Sequence, residues 1–316
     1  MSRFLITGFS GFVSRHFIDY LENNGINSDI MGIDLNPPSA INKTYKHVKC
    51  EFIKQDLLDK DNIQYYIHSF QPDYILHLAS YSSVAFSWQN PIISYQNNIN
   101  IFLNLLEAVR LLKLNCRILS VGSSEEYGNI NRDILPLKEE YDVYPISPYA
   151  VARASQEMLS KVYVKGFDLN IVLTRSFNHI GRGQKDGFVI PSFARQLTDI
   201  KKGLKKEMLT GDISIVRDFI DVRDVVAAYY TLFMKGSRGE IYNVCSGVGY
   251  SLKQLIEMME EILGIKAVIK VNPDLIRPDD NRIIIGSNDK LRKELGWSAQ
   301  YSIRETLMDV LDERLN

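Results

Sequence analysis

Ser147-Pro148-Tyr149-Ala150-Val151-Ala152-Arg153 is the stretch whose residue types and spacing most directly suggest chemistry. Ser147 suits a helix N-cap and Pro148 the first helical position, so a helix is expected to start here. Tyr149 and Arg153 then stand four residues apart on one face of it. A fixed cation beside a phenol stabilises the phenolate form, which suits the tyrosine to exchange a proton with a substrate oxygen. Ser123, just past the apolar run Arg117 to Val121, can bring a second hydroxyl to the same oxygen. Taken alone, such a pair is more often a surface feature. A second motif upstream gives it weight.

That motif is Gly8-Phe9-Ser10-Gly11-Phe12-Val13-Ser14, between the apolar run Phe4-Leu5-Ile6 and the helix-like stretch Phe12 to Asn23. In a strand–loop–helix context, glycines let the backbone turn tightly and approach a pyrophosphate resting on the helix N-terminus. Gly8, Ser10, Gly11, Phe12 and Val13 are therefore expected to hold a dinucleotide, with Ser14 in place of the third glycine. Asp34 ends the second strand, where an acid binds the adenosine ribose hydroxyls and repels a 2′-phosphate, so NAD(H) is expected over NADP(H). The alternative for Asp34 is a cap on the turn into Asn36-Pro37-Pro38. Asp56 and Leu57 are expected beside adenine, and Leu78, Ala79 and Ser80 beside the nicotinamide-side ribose and phosphates. Asn98, on the following helix, completes the cofactor set.

The elements that must position these groups are strands over Ile30 to Ile33, Tyr74 to Leu78, Arg117 to Val121 and Asn170 to Thr174, alternating with helices such as Ile92 to Leu112. Such alternation predicts an α/β fold: a Rossmann-type, doubly wound parallel sheet with a smaller, mixed C-terminal substrate domain. Beyond about residue 175 the pattern loosens, with helices expected at Val222 to Phe233, at Ser251 to Leu263 and from Ser302. The lysine-rich stretch Asp199 to Lys206 reads as a solvated helix end. Asp218 to Val244 reads as a strand–helix–strand return to the main sheet. The expected division is 1–175 plus about 212–245 for the dinucleotide, and 176–211 with 246–316 for the substrate.

The 316 residues are 45% hydrophobic and 24% charged, which fits a soluble globular protein. A formal net charge of -1 speaks against a generic nucleic-acid or membrane partner, each of which needs a basic face. Cys50, Cys116 and Cys245 are odd in number and lack a CxxC pair, so neither a disulfide framework nor a metal site is expected. No apolar run is long enough to span a bilayer, and a cytoplasmic location is expected.

With these residues in view, the chain resembles the extended short-chain dehydrogenases/reductases, whose signature is Tyr-x-x-x-Lys with an upstream Ser or Thr. It is similar to one branch in particular, the GDP-4-keto-6-deoxy-D-mannose reductases that form GDP-D-rhamnose. The similarity runs through Val121-Gly122-Ser123-Ser124-Glu125-Glu126-Tyr127-Gly128, Phe177-Asn178-His179-Ile180-Gly181, Gly183 to Ile190, Arg217 to Val222 and Ile241 to Gly247. It implies hydride transfer from NADH to carbon 4 of a GDP-4-keto-6-deoxy-hexose or related keto-heptose. Tyr149 then donates the proton, Ser123 polarises the carbonyl and Arg153 holds the ribose.

A GDP-sugar needs forked cations and a slot for its base. The resemblance puts Asn178 at the pyrophosphate and Phe188 and Val189 beside guanine. Arg217 and Arg277 are the candidates for the phosphates, with a surface salt bridge as the alternative for each; Arg195 fits a helix-surface role equally well. The turn Arg277-Pro278-Asp279-Asp280 is placed to close over the nucleotide, and Asp280 joins the substrate set. Ser83, with Ser82 and Trp88, is expected near the hexose. His179 reads as structural.

Glu125 has two readings. It is a positioning group for the sugar, or the base that related GDP-mannose 4,6-dehydratases place there. Arg153 departs from the family lysine and cannot relay protons by deprotonating, which predicts slower proton exchange. Three activities follow for comparison: a reductase, a dehydratase or epimerase that recycles its NAD internally, and a non-catalytic NAD-binding sensor or scaffold. The resemblance also implies a homodimer paired through Ile92 to Leu112 and Tyr149 to Val164.

Overall fold

A computed structural model describes residues 1–38, 44–129, 132–276 and 281–315. In chain order the elements are β1 (Ser2–Thr7), α1 (Phe12–Asn23), β2 (Ser28–Asp34), β3 (Val48–Lys54), α2 (Lys60–Phe70), β4 (Tyr74–His77), α3 (Val84–Gln89), α4 (Pro91–Leu111) and β5 (Arg117–Ser123). They continue as α5 (Pro148–Phe167), β6 (Asn170–Ser176), β7 (Asn178–Ile180), α6 (Val189–Lys201), β8 (Glu207–Thr210), β9 (Val216–Asp221), α7 (Val222–Lys235) and β10 (Ile241–Val244). The last are β11 (Gly249–Ser251), α8 (Leu252–Leu263), β12 (Val268–Val271), β13 (Ile283–Ile284), α9 (Asp289–Leu295) and α10 (Ile303–Leu315).

Among the described residues, seven parallel strands form one sheet in the order β10-β6-β5-β4-β1-β2-β3. The order reverses between β1 and β4, and the crevice beyond the carboxyl ends of those strands is where a doubly wound sheet binds ligands. Side chains on a strand alternate faces, so Phe4 and Ile6 pack with Phe17, Tyr229 and Phe233 on one side. Leu5 packs with Ile63, Phe102 and Leu105 on the other. That two-sided burial is why the strands read as continuous apolar runs.

The strand expected over the start of Asp218 to Val244 forms as β9 but does not join the main sheet. It pairs with β7, β11 and β13 in a four-stranded mixed sheet, and only β10 returns to the main one. The reason lies in its side chains. Asp218 is buried and accepts bonds from the N–H groups of Ser246, Gly247 and Gly286, partners that an apolar sheet interior lacks. A separate core lies beneath α6, α8 and α10, built from Ile190, Phe193, Leu255, Met259 and Leu307.

Candidate active site

The loop from β1 to α1 is held from both sides. Gly8 has φ +71°, and a Cβ on it would lie 2.7 Å from the Ala79 nitrogen, so this turn and the end of β4 touch through backbone alone. Thr7 joins them: its hydroxyl accepts from the Ala79 N–H at 3.3 Å and meets His77 Nδ1 at 2.8 Å. Burial and, after it, the Arg153 cation push His77 down to about 3, so its ring is neutral. Gly11 caps α1 without a side-chain bond, which leaves the first helical N–H groups directed at the crevice. Open N–H donors on a glycine turn fit a pyrophosphate.

Asp34 grips this loop directly. Its carboxylate accepts from Ser10 N at 3.0 Å and from Asn36 N at 3.1 Å, and the Ser10 hydroxyl donates to the Asn36 carbonyl. The capping reading of Asp34 is thus met, since it caps the turn at the edge of the glycine loop. Asp56 accepts from Leu58 N and Leu57 is buried in the core. Asn98 is buried and clamps the Tyr81 backbone with both ends of its amide, which fixes the segment that follows Ser80.

Ser14 is fully buried, and its hydroxyl has no hydrogen-bond partner among the described residues. A glycine or alanine at this position would avoid that. Burying an unpaired hydroxyl costs about 1–3 kcal/mol. Ser14→Ala should therefore raise stability by about 1 kcal/mol, seen as a higher urea midpoint at unchanged m-value; an unchanged or lower midpoint would show the hydroxyl to be satisfied.

Ser147 caps α5 by accepting from Ala150 N at 3.1 Å, with Pro148 in the first turn. Tyr149 and Arg153 then meet as the spacing predicts: Arg153 Nε donates to the Tyr149 hydroxyl at 3.2 Å. The same guanidinium donates to Ser80 Oγ at 2.6 Å, to the Val121 carbonyl at 2.9 Å and to Gln156 Oε1 at 2.7 Å. Arg153 is 5% exposed, and all four of these partners are uncharged. With no carboxylate bonded to it among the described residues, this buried cation directs its field at whatever lies over Tyr149 and Ser80.

Behind it stands a polar layer that sequence reading missed, in which Gln156 donates to Ser120 Oγ and Ser160 bonds Ser120. Its signal was the spacing of Arg153, Gln156 and Ser160 along one inner helix face.

Ser123 ends β5 and caps a 3-10 turn, Ser124–Tyr127. Its hydroxyl oxygen accepts from Glu125 N at 3.2 Å. Glu125 is half-buried on that turn. Glu126, also missed, is fully buried and accepts from Ser123 N at 2.6 Å.

The substrate-side residues are more scattered. Asn178 is half-buried on β7, Phe188 caps α6 without a side-chain bond, and Val189 opens that helix. Arg217 is buried on β9 and donates to the Val216 carbonyl. Arg195 pairs with Asp186 at 3.3 Å on the surface. Ser83 caps α3 by accepting from Phe86 N, and Trp88 lines a groove with Ile92, Ser147 and Val151. Arg277, Pro278, Asp279 and Asp280 lie outside the described residues. His179 stacks on Phe12, and burial pushes its ring down to about 4, as suits a structural residue.

Comparison with known proteins matches this arrangement along the whole chain. The family model described as GDP-mannose 4,6 dehydratase matches residues 5–310. A GDP-6-deoxy-D-mannose reductase from Pseudomonas aeruginosa is 33% identical, covering 98% of this chain and 96% of that protein. A GDP-mannose 4,6-dehydratase from Vibrio cholerae is 25% identical over 98% of this chain and 93% of its own length. The solved structure of RMD from Pseudomonas aeruginosa complexed with NADPH superposes with a TM-score of 0.86 at 31% identity, covering 100% of this chain and 99% of that one. A UDP-glucose 4-epimerase from Thermotoga maritima, solved with UDP-glucose, gives 0.87 at 27% identity over 98% of each chain. With a Rossmann sheet, a glycine cradle at its switch point and a Tyr–Arg pair beside it, the chain belongs to the GDP-mannose 4,6-dehydratase family of extended short-chain dehydrogenases/reductases.

Proposed function

We propose that this protein reduces the 4-keto group of a GDP-4-keto-6-deoxy-hexose, giving a GDP-D-rhamnose-type product, or that of a related GDP-keto-heptose. The observation that carries the reading is the Arg153 guanidinium, which binds Tyr149 and Ser80 together at the mouth of the glycine cradle. Full-length similarity to a GDP-6-deoxy-D-mannose reductase supports the substrate class. NADH, when bound, supplies a hydride for carbon 4. Tyr149 delivers the proton to the carbonyl oxygen, Ser123 donates a hydrogen bond to that oxygen, and Arg153 holds the phenol and the ribose. Gly8, Ser10, Gly11, Phe12, Val13, Asp56, Leu57, Leu78, Ala79, Ser80 and Asn98 form or brace the cofactor side. Ser83, Asn178, Phe188, Val189, Arg217, Arg277 and Asp280 serve the GDP-sugar.

NAD(H) is the preferred cofactor on this reading, because the Asp34 carboxylate stands at the loop edge where a 2′-phosphate would meet it. Affinities for NADH and NADPH measured side by side decide this; equal binding would remove the preference. The expected division, 1–175 with about 212–245 for the cofactor and 176–211 with 246–316 for the sugar, needs one change: β9 and its Arg217 belong with the second sheet. No helix among the described residues is long and apolar enough to cross a membrane. The three free thiols fit a reducing cytoplasm.

A homodimer is part of the proposal. Ile92 on α4, which lines a groove of about 670 Å³, and Met158, Val162 and Phe167 on α5 are each about half exposed or more. Sedimentation showing only monomer at micromolar concentration would remove it.

The second reading, a dehydratase, is favoured by Glu125, half-buried two residues past Ser123 on the same 3-10 turn. Incubation with GDP-mannose alone separates the two: a 4-keto-6-deoxy product without added reductant overturns the reductase. NADH binding with no keto-sugar consumed would point to the sensor or scaffold.

Arginine stays charged at any usable pH, so Arg153 holds the phenol but passes no proton onward. Arg153→Lys should raise kcat severalfold with the keto-sugar. A kcat unchanged or lowered would show that the four bonds of the guanidinium matter more than a titratable relay.

A further inference from the structure

The site has a second acid that the proposed reaction does not use. Glu126 is 0% exposed, in the turn between Ser123 and Tyr127. Its Oε1 accepts from Ser123 N at 2.6 Å. Its Oε2 makes no hydrogen bond of ordinary geometry, and the group facing it is the Glu157 carboxyl of α5. Room for Glu126 comes from Gly122, where a Cβ would collide with its Oε1 and with the Thr174 carbonyl.

Glu157 itself is tied down. Arg175 of β6 donates to both its oxygens, at 2.9 and 3.0 Å, and Lys161 of α5 adds a third bond at 2.7 Å. Arg175 stacks over the Tyr127 ring and also donates to the Glu139 and Tyr141 carbonyls. The charged and titratable groups around Glu126 are therefore Glu157 and Lys161 from α5, Arg175 from β6 and Tyr127 from its own turn, with Glu139 beyond Arg175. Both available cations are already committed to Glu157.

We propose that Glu126 is a positioning residue: as a neutral carboxyl between the Ser123 N–H and the Glu157 carboxylate, it fixes the turn that presents Ser123 and Glu125, and losing its proton loosens that turn. A second carboxylate here would face the Glu157 carboxylate at a fully buried position, where like charges repel strongly. Burial, and then Glu157, push Glu126 up to about 8. Burial also raises Glu157, but Arg175 and Lys161 outweigh it and hold Glu157 below the ordinary carboxylate range. A buried acid kept neutral near pH 7 so that its hydrogen bonds hold has precedent in enzyme sites.

The sign is fixed by linkage. Between the ordinary glutamate range and about pH 8, the folded chain keeps a proton that the unfolded chain has lost, so this group makes stability fall as pH rises through that window. Above about 8 both states are ionised and the fall stops.

The inference rests on the proposed role of Ser123, so its test has a readout apart from activity. Thermal midpoints of the full chain and of Glu126→Gln are compared from about pH 5 to about pH 9. The amide keeps an acceptor for Ser123 and a donor for Glu157 without a titrating proton. The midpoint of Glu126→Gln relative to the parent should climb between about pH 5 and 8 and then level off; a constant difference overturns the proposal. In kinetics with the keto-sugar, Glu126→Gln should stay within about threefold of the parent at pH 7 and lose the parent's fall in kcat above about pH 8. An identical alkaline fall in both proteins also overturns it. Glu126→Leu, which strands the Ser123 N–H, should lower kcat about tenfold with little change in KM for NADH. Should Ser123→Ala leave kcat intact, the functional reading fails, while the thermal comparison still decides whether Glu126 carries the proton.

Discussion

Tyr149→Phe should lower kcat with the keto-sugar by about 10²–10⁴-fold, the range expected when a positioned general acid is removed. The phenol is 7% exposed, and its oxygen accepts from Arg153 Nε at 3.2 Å. The guanidinium carbon also lies 5.3 Å from the centre of its ring. The remaining guanidinium bonds go to neutral oxygens, so the Tyr149 oxygen faces a cation with no carboxylate bonded to it among the described residues. Phenylalanine keeps the ring and its packing, and the helix cap at Ser147 is untouched. NADH affinity should therefore change far less than kcat. Single-turnover rates with NADH already bound isolate the chemical step, and a loss under tenfold would mean that another group supplies the proton.

Gly8→Val should abolish measurable dinucleotide binding, with an expected loss of at least about 100-fold. Two separate costs act. A β-branched residue at φ +71° is strained by about 1–2 kcal/mol or more. Its Cβ would also sit 2.7 Å from Ala79 N and 2.9 Å from the Leu78 carbonyl carbon, both backbone atoms that yield only if β4 and the loop separate. That separation moves the N-terminus of α1 away from the position a pyrophosphate requires. Gly8→Ala carries the same Cβ clash with less strain and should weaken NADH binding by a smaller factor. Calorimetry on protein shown to be folded by circular dichroism reads both variants; near-native affinity in Gly8→Val would mean that the contact with Ala79 is dispensable.

How much of this was legible beforehand depends on whether the interaction is local. The alternating apolar runs, the cap at Ser147 and the four-residue spacing of Tyr149 and Arg153 depend on neighbours in the chain, and each appears in the structure as read. The parallel sheet follows from the same patterning, because a strand buried on both faces must be apolar throughout. Placement of β9 was not legible: as a short apolar-flanked strand it resembles β10, and the partners of Asp218 come from Ser246, Gly247 and Gly286, distant in sequence. Arg195 shows the same limit, since its surface pairing with Asp186 is set by the tertiary fold.

The Tyr149–Arg153 pair marks the division most clearly. Sequence alone determined that a phenol and a cation share one helical turn behind a dinucleotide loop, since helix periodicity and glycine geometry are properties of the local chain. Only the tertiary structure decided what surrounds them: Ser80 from the end of β4, Val121 from β5, and Glu126 held between Ser123 and Glu157. Burial and long-range pairing set the protonation and orientation of such groups, and both arise only when strands distant in sequence come together.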